Sequence, residues 1–272
     1  MRTIHYKILG FFLILFGLGF SVMAQEKAPK FLTVTILHRD TSNPDLKKED
    51  WLKLEKEYFD KVVMKNPYVL KHNILSHFFT EDNTEIVLVQ LYENWEAIDK
   101  AWEKENELIK AAWPDENARK SFYEKRKVFY NNEHSDEIYT VMPYRKDLAK
   151  IPDKQMIYYV RKSAFAQPKD GSEKEFEALF KEVMDNMINK NDLLKAYYTY
   201  THAWGSKGGE FVEVFVYDSL TDLEKAWAKD DELAKAYWKD EAKMKEFDKK
   251  INKYFSPNHG DYIYRNEVGL QK

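Results

Sequence analysis

The sequence predicts an α+β fold made of two similar domains in tandem, and two observations lead to that class. Residues 31–140 align with residues 156–265 at a constant offset of 125 residues, without a gap. Both segments also show the same succession of strand and helix patterns. Two copies of this length are too few and too long for a solenoid of short repeats, so a duplicated domain is predicted.

The repeat is clearest in a helical stretch, where Lys100-Ala101-Trp102 aligns with Lys225-Ala226-Trp227. The histidines align as well, His77 with His202. Residues 143–155 are charged and flanked by prolines, which is typical of a linker. We therefore predict a first repeat over residues 25–142, a linker over 143–155 and a second repeat over 156–272.

Each copy predicts the same order of elements. Runs of β-branched and aromatic residues predict first strands at Phe31–Leu37 and Met156–Val160. Apolar residues at helical spacing predict helices at Lys48–Lys65 and Ser172–Lys190. In the first copy we then predict strands at 69–79 and 86–92, helices at 95–112 and 115–130, and a last strand at 137–142. The order β-α-β-β-α-α-β is the ferredoxin-like arrangement. Its helices cover one face of the sheet, so two such units are expected to close face to face.

The N-terminus is predicted to be a signal peptide over residues 1–24. Arg2 and Lys7 precede the apolar run Ile8–Val22, and small residues Val22 and Ala24 then mark a cleavage site. A membrane anchor is the alternative, but the run is short for a span of about 20 residues. We predict a periplasmic or secreted protein with no membrane contact after cleavage.

Composition excludes several classes of function. The chain has no cysteine, which excludes disulfides, thiolate chemistry and cysteine-ligated metals. Its net charge is -3 with both signs interspersed, so nothing favours nucleic acid as a partner. No phosphate-binding glycine loop, nucleophilic serine elbow or His-Glu-x-x-His motif is present. The pairs His134 with Asp136 and His259 with Asp261 fit a metal ligand pair or a loop cap; we predict no metal and no cofactor.

Alternation along the third strand of each copy separates two sets of side chains. The first set is uniformly aliphatic and is predicted to lie under the helices. Its members are Val87, Val89 and Leu91 in the first copy and Val212, Val214 and Val216 in the second. The second set mixes aromatic and polar residues and is predicted to line a space between the two sheets. A packed aromatic interface without a ligand is the alternative. The predicted ligand-binding residues are His77, Gln90, Tyr92, Tyr198, Tyr200, Trp204 and Tyr217.

The second copy has the more polar predicted interior. At the constant offset, Arg161 and Glu213 take the places of Ile36 and Leu88. A glutamate among aromatic residues needs a partner because burying a lone charge is costly, and Arg161 is the candidate. The predicted acid–base and orienting residues of a catalytic site are His202, Arg161, Glu213 and Tyr264. A structural role for both aligned histidines, in hydrogen bonds at the interface, is the alternative.

The tryptophan pairs have a structural interpretation. Trp102 and Trp113, like Trp227 and Trp238, are eleven residues apart, which is about three helical turns and one face. We predict that they anchor the helices on the sheet rather than form a stacking platform for sugars.

The segments Val87–Trp102 and Val212–Trp227 each hold a strand ending in tyrosine and then a helix. In this the chain resembles the dimeric α/β-barrel superfamily, in particular its antibiotic-biosynthesis-monooxygenase-like branch. The resemblance implies ferredoxin-like half-barrels, here pairing within one monomer as a pseudo-dimeric α/β barrel. It also implies a cavity beside each sheet, and its members include cofactor-independent monooxygenases and haem-degrading enzymes. Trp102 and Trp227 replace a histidine that many members have, and the first strands lack the asparagine of the haem-degrading members, so haem chemistry is not carried over.

Three functions remain open on the sequence. The first is an exported protein that binds a small apolar or aromatic ligand between the sheets. The second is a cofactor-independent monooxygenase-like enzyme working in the cavity of the second repeat. The third is a structural or interaction module without a ligand.

Overall fold

The structure is a computed structural model that describes residues 30–272, so the predicted signal peptide lies outside the described residues. Within this range the chain forms eight β-strands and six α-helices. The strands are β1 (Phe31–Arg39), β2 (Lys71–Phe79), β3 (Glu85–Tyr92), β4 (Tyr130–Val141), β5 (Ile157–Phe165), β6 (Ala196–Trp204), β7 (Glu210–Tyr217) and β8 (Phe255–Asn266). The helices are α1 (Lys48–Lys61), α2 (Trp95–Ala112), α3 (Glu116–Lys127), α4 (Glu173–Val183), α5 (Leu220–Trp238) and α6 (Glu241–Asn252).

The α+β class is confirmed, and the order β-α-β-β-α-α-β occurs in residues 30–142 and again in residues 156–272. We call these segments the first half and the second half. The predicted start of α2 holds, and Asn94 caps it by accepting from Ala97 N; in the second half Ser219 caps α5 in the same way by accepting from Asp222 N. The last strand of the first half begins earlier than predicted, at Tyr130, because it pairs along the whole of β1.

All strand pairings are antiparallel, and the strand order β1-β3-β2-β8-β5-β7-β6-β4 closes into a barrel. The halves join where β2 pairs with β8 and where β4 pairs with β6. An antiparallel sheet has exposed edges that invite aggregation unless they are paired or covered. Here the edge strands of each half, β2 and β4 in the first and β6 and β8 in the second, pair with edge strands of the other half.

The barrel interior holds the uniformly aliphatic set of the third strands, including Val87 and Val212. The mixed set instead packs under the helices, with Ile86 in the first half and Phe211 in the second. The predicted assignment of the two faces was therefore wrong. In the narrow barrel interior the branched aliphatic side chains of the third strands pack against tyrosines of other strands, such as Tyr139 and Tyr264. The rings and polar groups of the mixed set lie under the helices instead.

The constant offset of 125 residues fails in the first strand. Phe31 pairs with Tyr92, and Ile157 pairs with Tyr217, so β1 and β5 correspond at an offset of 126. Arg161 therefore takes the place of Thr35, not of Ile36. The side-chain contacts support this correspondence: Thr35 donates to Asp136 at 2.6 Å, and Arg161 donates to the aligned Asp261 at 3.3 Å.

The segments outside the repeated elements pack against the halves. In the predicted linker, Tyr144 is buried and Lys146 Nζ donates to the carbonyl of Asn191 at 2.8 Å. At the end of the second half, Leu270 is buried in the first-half core and Lys272 exchanges backbone hydrogen bonds with His72. Among residues 30–272, none of the helices carries an apolar stretch of the length that a membrane span needs.

The tryptophan prediction holds for only one member of each pair. Trp113 is buried and stacks on Phe122 with ring centroids 4.0 Å apart, and Trp238 packs on Phe247 at 4.6 Å. Trp102 and Trp227 are 69% and 52% exposed, so they do not anchor the helices. In the first half the shared face is lost because α2 ends at Ala112, one residue before Trp113.

His72 gives the first half a pH-dependent stability. It is buried, and burial, followed by the charges of Arg126 and Lys272, lowers its pKa to about 4. An unfolded histidine titrates near 6.5, so the stability is full above that pH and falls as the pH drops toward 4. We expect the free energy of unfolding to fall by about 3 kcal/mol over this window.

Denaturant unfolding between pH 4 and 7 measures this loss. The variant His72→Gln should lose this part of the pH dependence. An unaltered slope in that variant would contradict the assignment.

Candidate functional site

A polar cluster lies on the helix-facing side of the second-half sheet, made of Tyr159, Arg161, Tyr197, Glu213 and Asp261. Arg161 and Glu213 are direct cross-strand partners in β5 and β7. Tyr159 precedes Arg161 by two residues and so shares its face. The alternation of the strands thus places a guanidinium, a carboxylate and a phenol side by side.

The guanidinium of Arg161 is held in a fixed orientation. Its Nη2 donates to the Tyr159 hydroxyl at 2.7 Å and its Nε donates to Asp261 Oδ1 at 3.3 Å. The Tyr159 hydroxyl donates to the same carboxylate oxygen at 2.6 Å. His259 Nε2 lies 3.1 Å from the other oxygen of Asp261. Arg161 is therefore a preorganised cation rather than a freely moving side chain.

Glu213 is suited to proton transfer. Burial raises its pKa, an effect larger than the opposing hydrogen bond from Tyr197 and the charge of Arg161. The Tyr197 hydroxyl donates to Glu213 Oε1 at 2.5 Å, and burial keeps the pKa of that tyrosine well above its ordinary value. A carboxyl group with a raised pKa can accept and release a proton nearer to neutral pH.

Aromatic rings border the cluster. Phe215 stacks on Tyr159 at 5.3 Å, and Trp227 meets Tyr159 edge to face at 6.3 Å. Trp227 is half exposed, and the Arg161 and Asp261 side chains are 37% and 44% exposed. The cluster is thus reachable from solvent beside an aromatic surface, an arrangement that suits a flat molecule able to carry negative charge.

The same place in the first half has different chemistry. Thr33 and Thr35 stand where the second half has Tyr159 and Arg161, and Leu88 stands in place of Glu213. The polar contacts there are the Thr35 hydroxyl donating to the Asp136 carboxylate at 2.6 Å and the Tyr92 hydroxyl donating to Gln90 at 2.8 Å. The cationic and acidic pair is therefore a property of the second half, the half that the sequence marked as the more polar.

The sheet separates the predicted catalytic residues into two pairs. Arg161 and Glu213 meet under the helices, whereas His202 and Tyr264 lie on the barrel side. There, His202 Nε2 is 2.9 Å from Glu137 Oε2, and the Tyr264 hydroxyl donates to Glu85 at 3.1 Å. The expectation that all of them share one cavity was wrong, because it followed from the inverted faces of β7.

The barrel interior is too small for the predicted aromatic ligand. Its cavity has a volume of about 70 Å³ and is lined mainly by valine and leucine side chains, with Lys162, Tyr139, Tyr200 and Tyr264. Small-molecule sites typically have about 300–1,000 Å³. Two of the predicted ligand-binding residues lie at this cavity: Tyr200 lines it and Tyr198 packs beside it. The others lie elsewhere. Gln90, Tyr92 and Tyr217 face the helices, Trp204 is exposed, and His77 lines another pocket.

Glu137, which sequence reasoning did not single out, joins the two halves at one end of the barrel. It is buried, and its carboxylate accepts from Ser206 N at 3.0 Å, Ser206 Oγ at 2.7 Å and Lys207 N at 3.3 Å, beside His202. Burial raises its pKa, but these hydrogen bonds outweigh that effect and the pKa is lowered. Glu137 therefore stays ionised and holds the β6–β7 turn against β4.

Comparison with known proteins gives similarity of structure only. No family model matches the chain, and no curated protein matches it. A candidate monooxygenase of Fusobacterium nucleatum has 12% sequence identity and a TM-score of 0.54, with 90% of this chain and 94% of that chain covered. A candidate monooxygenase of Lactobacillus acidophilus has 10% identity and a TM-score of 0.53, covering 89% and 95%. A mutant chlorite dismutase of Candidatus Nitrospira defluvii has 10% identity and a TM-score of 0.52, covering 89% and 92%.

These identities establish the fold alone. The chain has the ferredoxin-like α+β architecture of these proteins over nearly its whole described length. Fold similarity does not assign an activity, which has to be argued from the side chains of the site.

Proposed function

We propose that this protein is a monooxygenase-like enzyme that works at the second-half cluster, with Glu213 as the proton acceptor. The observation that supports it best is the cross-strand pair of a fixed guanidinium, Arg161, and a carboxyl group of raised pKa, Glu213. The names of the structural neighbours agree with this class of activity, but they support the proposal only through the fold.

The chemistry follows from the positions of these groups. A flat ketone with an acidic C–H would lie against Trp227, with its oxygen toward Arg161. Glu213 removes the proton, and the guanidinium stabilises the negative charge that develops on the oxygen. Reaction of the resulting carbanion with dioxygen then gives the balanced conversion R₂CH₂ + O₂ → R₂C=O + H₂O. Tyr197, a hydrogen-bond donor, holds Glu213 in place.

Oxygen uptake with dithranol, a hydroxylated anthrone with an acidic C–H, tests this proposal. Glu213→Gln keeps the shape of the side chain but removes the base, so we expect the rate to fall about a hundredfold or more. The matched control is Glu224→Gln, which changes an exposed glutamate on α5 and should leave the rate unchanged. A wild-type rate no higher than that of the protein-free solution, or full activity of Glu213→Gln, would refute the proposal.

We also propose that the halves arose by duplication and pair within one monomer as two subunits pair in a dimeric α/β barrel. The repeated element order and the matching contacts of Asp136 and Asp261 support this. Export through the signal peptide at residues 1–24 remains a prediction. The small ligand was predicted to lie between the sheets, but the pocket with room for one lies outside the barrel, in the first half.

A further inference from the structure

A pocket of about 310 Å³ opens in the first half, away from the second-half cluster and outside the barrel interior. It lies where β1 and β2 end and α1 begins. Its volume falls within the range of small-molecule sites. Its lining includes Arg39, Lys47, Lys48, Trp51, His77 and Phe129.

The pocket combines an aromatic floor with a cationic rim. Trp51 and Phe129 are buried side chains of the first-half core, so they form the floor. Arg39, Lys47 and Lys48 are exposed and form the rim. Two of these side chains already have partners: Lys48 Nζ bonds the buried Glu267 at 2.6 Å, and Arg39 Nη2 donates to the Asn83 carbonyl at 2.9 Å, which leaves the other guanidinium N–H groups of Arg39 for a ligand. The Asp40 carboxylate also lines the pocket, but it accepts a hydrogen bond from Ser42 N at 2.8 Å within its own loop.

The second half shows that the fold does not require this opening. Arg39 pairs with Tyr130 at the bulged end of β1, and Phe165 pairs with Phe255 in the same way at the end of β5. Phe165 therefore occupies the position of Arg39. It packs on Phe176 at 5.1 Å and belongs to a continuous aromatic core.

One more rim residue and one floor residue also differ between the halves. Ser172 and Tyr254 stand, at the constant offset, where the first half has Lys47 and Phe129. The Tyr254 hydroxyl accepts from Ser172 N at 2.9 Å, which ties the start of α4 to the core. Side chains thus close this corner in the second half, whereas in the first half the corner is open and carries positive charge.

We propose that the first-half pocket binds a small aromatic carboxylate. The aromatic floor would accept the ring, and Arg39 and Lys47 would bind the carboxylate through charge-assisted hydrogen bonds. His77, held by Thr80 at 2.7 Å, lies at the wall of the pocket and adds a polar contact. This site is independent of the proposed enzyme activity.

Isothermal titration calorimetry of the protein with 1-naphthoate tests the proposal, with neutral 1-naphthalenemethanol as the comparison ligand. We expect 1:1 binding of the carboxylate and binding of the alcohol that is weaker by about tenfold, the effect of losing one charge-assisted hydrogen bond. Replacing Arg39→Phe, Lys47→Ser and Phe129→Tyr together introduces the residues of the second half. This variant should weaken naphthoate binding by about tenfold or more.

Two control variants distinguish naphthoate binding in this pocket from non-specific binding to lysines and from binding at the second-half cluster. Lys53→Ser removes an exposed lysine of α1 that does not line the pocket and should bind as the wild type does. Glu213→Gln should also bind naphthoate normally. If the triple variant fails to fold by circular dichroism, Lys47→Ser alone gives the test, with a smaller loss expected. Absence of naphthoate binding by the wild type, equal binding of the alcohol, or unchanged binding in the pocket variants would overturn the proposal.

Discussion

Glu55→Ala is expected to lower the free energy of unfolding by about 3–5 kcal/mol, because it leaves the largely buried Arg126 guanidinium without its partner. Glu55 is 2% exposed. Arg126 donates to both of its oxygens, at 2.7 and 2.9 Å, and the Tyr130 hydroxyl donates to it at 2.7 Å. The alanine variant removes these contacts together and leaves the guanidinium packed over the Tyr58 ring.

The second half supplies the control for this prediction. It carries Phe180 and Ile251 at the positions of Glu55 and Arg126, so the same corner of the fold is packed there without charge. Replacing a buried ion pair by apolar residues of similar volume is often close to neutral. We therefore expect Glu55→Leu combined with Arg126→Met to stay within about 2 kcal/mol of the wild type. Denaturant unfolding measures both variants, and a double variant as unstable as Glu55→Ala would show that the loss does not come from the orphaned charge.

Gly205→Ala is expected to cost about 2–4 kcal/mol, the range of a backbone strain combined with a steric overlap. Gly205 has φ +124°, in the region that favours glycine. A Cβ at this position would also lie inside van der Waals contact of the Glu137 carboxylate. Glu137 cannot move aside easily, because the turn amides of Ser206 and Lys207 hold it.

Gly209, in the same turn, shows what the backbone strain costs without the steric overlap. It has φ +78°, but a Cβ there would meet no atom within 4 Å. Gly209→Ala should therefore cost only about 1 kcal/mol. In a Glu137→Ala background, Gly205→Ala should cost less than it does in the wild type, since neighbouring sites are not additive. Thermal unfolding of these variants gives the comparison, and equal costs for the two glycines would contradict the role assigned to Glu137.

Local signals predicted the elements well. The helix α2 begins at Trp95 and ends at Ala112, the bounds that were predicted for it. The first-half strands lie within two residues of their predicted starts, except for β4. Propensity, periodicity and caps act over a few residues, so one sequence contains the information that decides them.

The site was predicted only in part. Arg161 and Glu213 were expected to be partners on one face, and β5 and β7 do place them opposite each other. Tyr159 was not singled out, although its contact with Asp261 orients the guanidinium. That hydrogen bond joins residues 102 positions apart in the chain, and no local pattern indicates it.

Sequence patterns were enough to predict the α+β class, the repeated order of elements and the concentration of polar residues in the second half. The tertiary structure alone decided which face of each strand enters the barrel, and it shifted the first strand by one residue relative to the repeat. Both strand faces are largely apolar here, so alternation separates two sets without saying which of them the helices cover. Because side chains alternate with a period of two, a one-residue shift moves every side chain of a strand to the opposite face. That is why Arg161 lies under the helices with Glu213 and Tyr197, and not in the barrel interior with Tyr264.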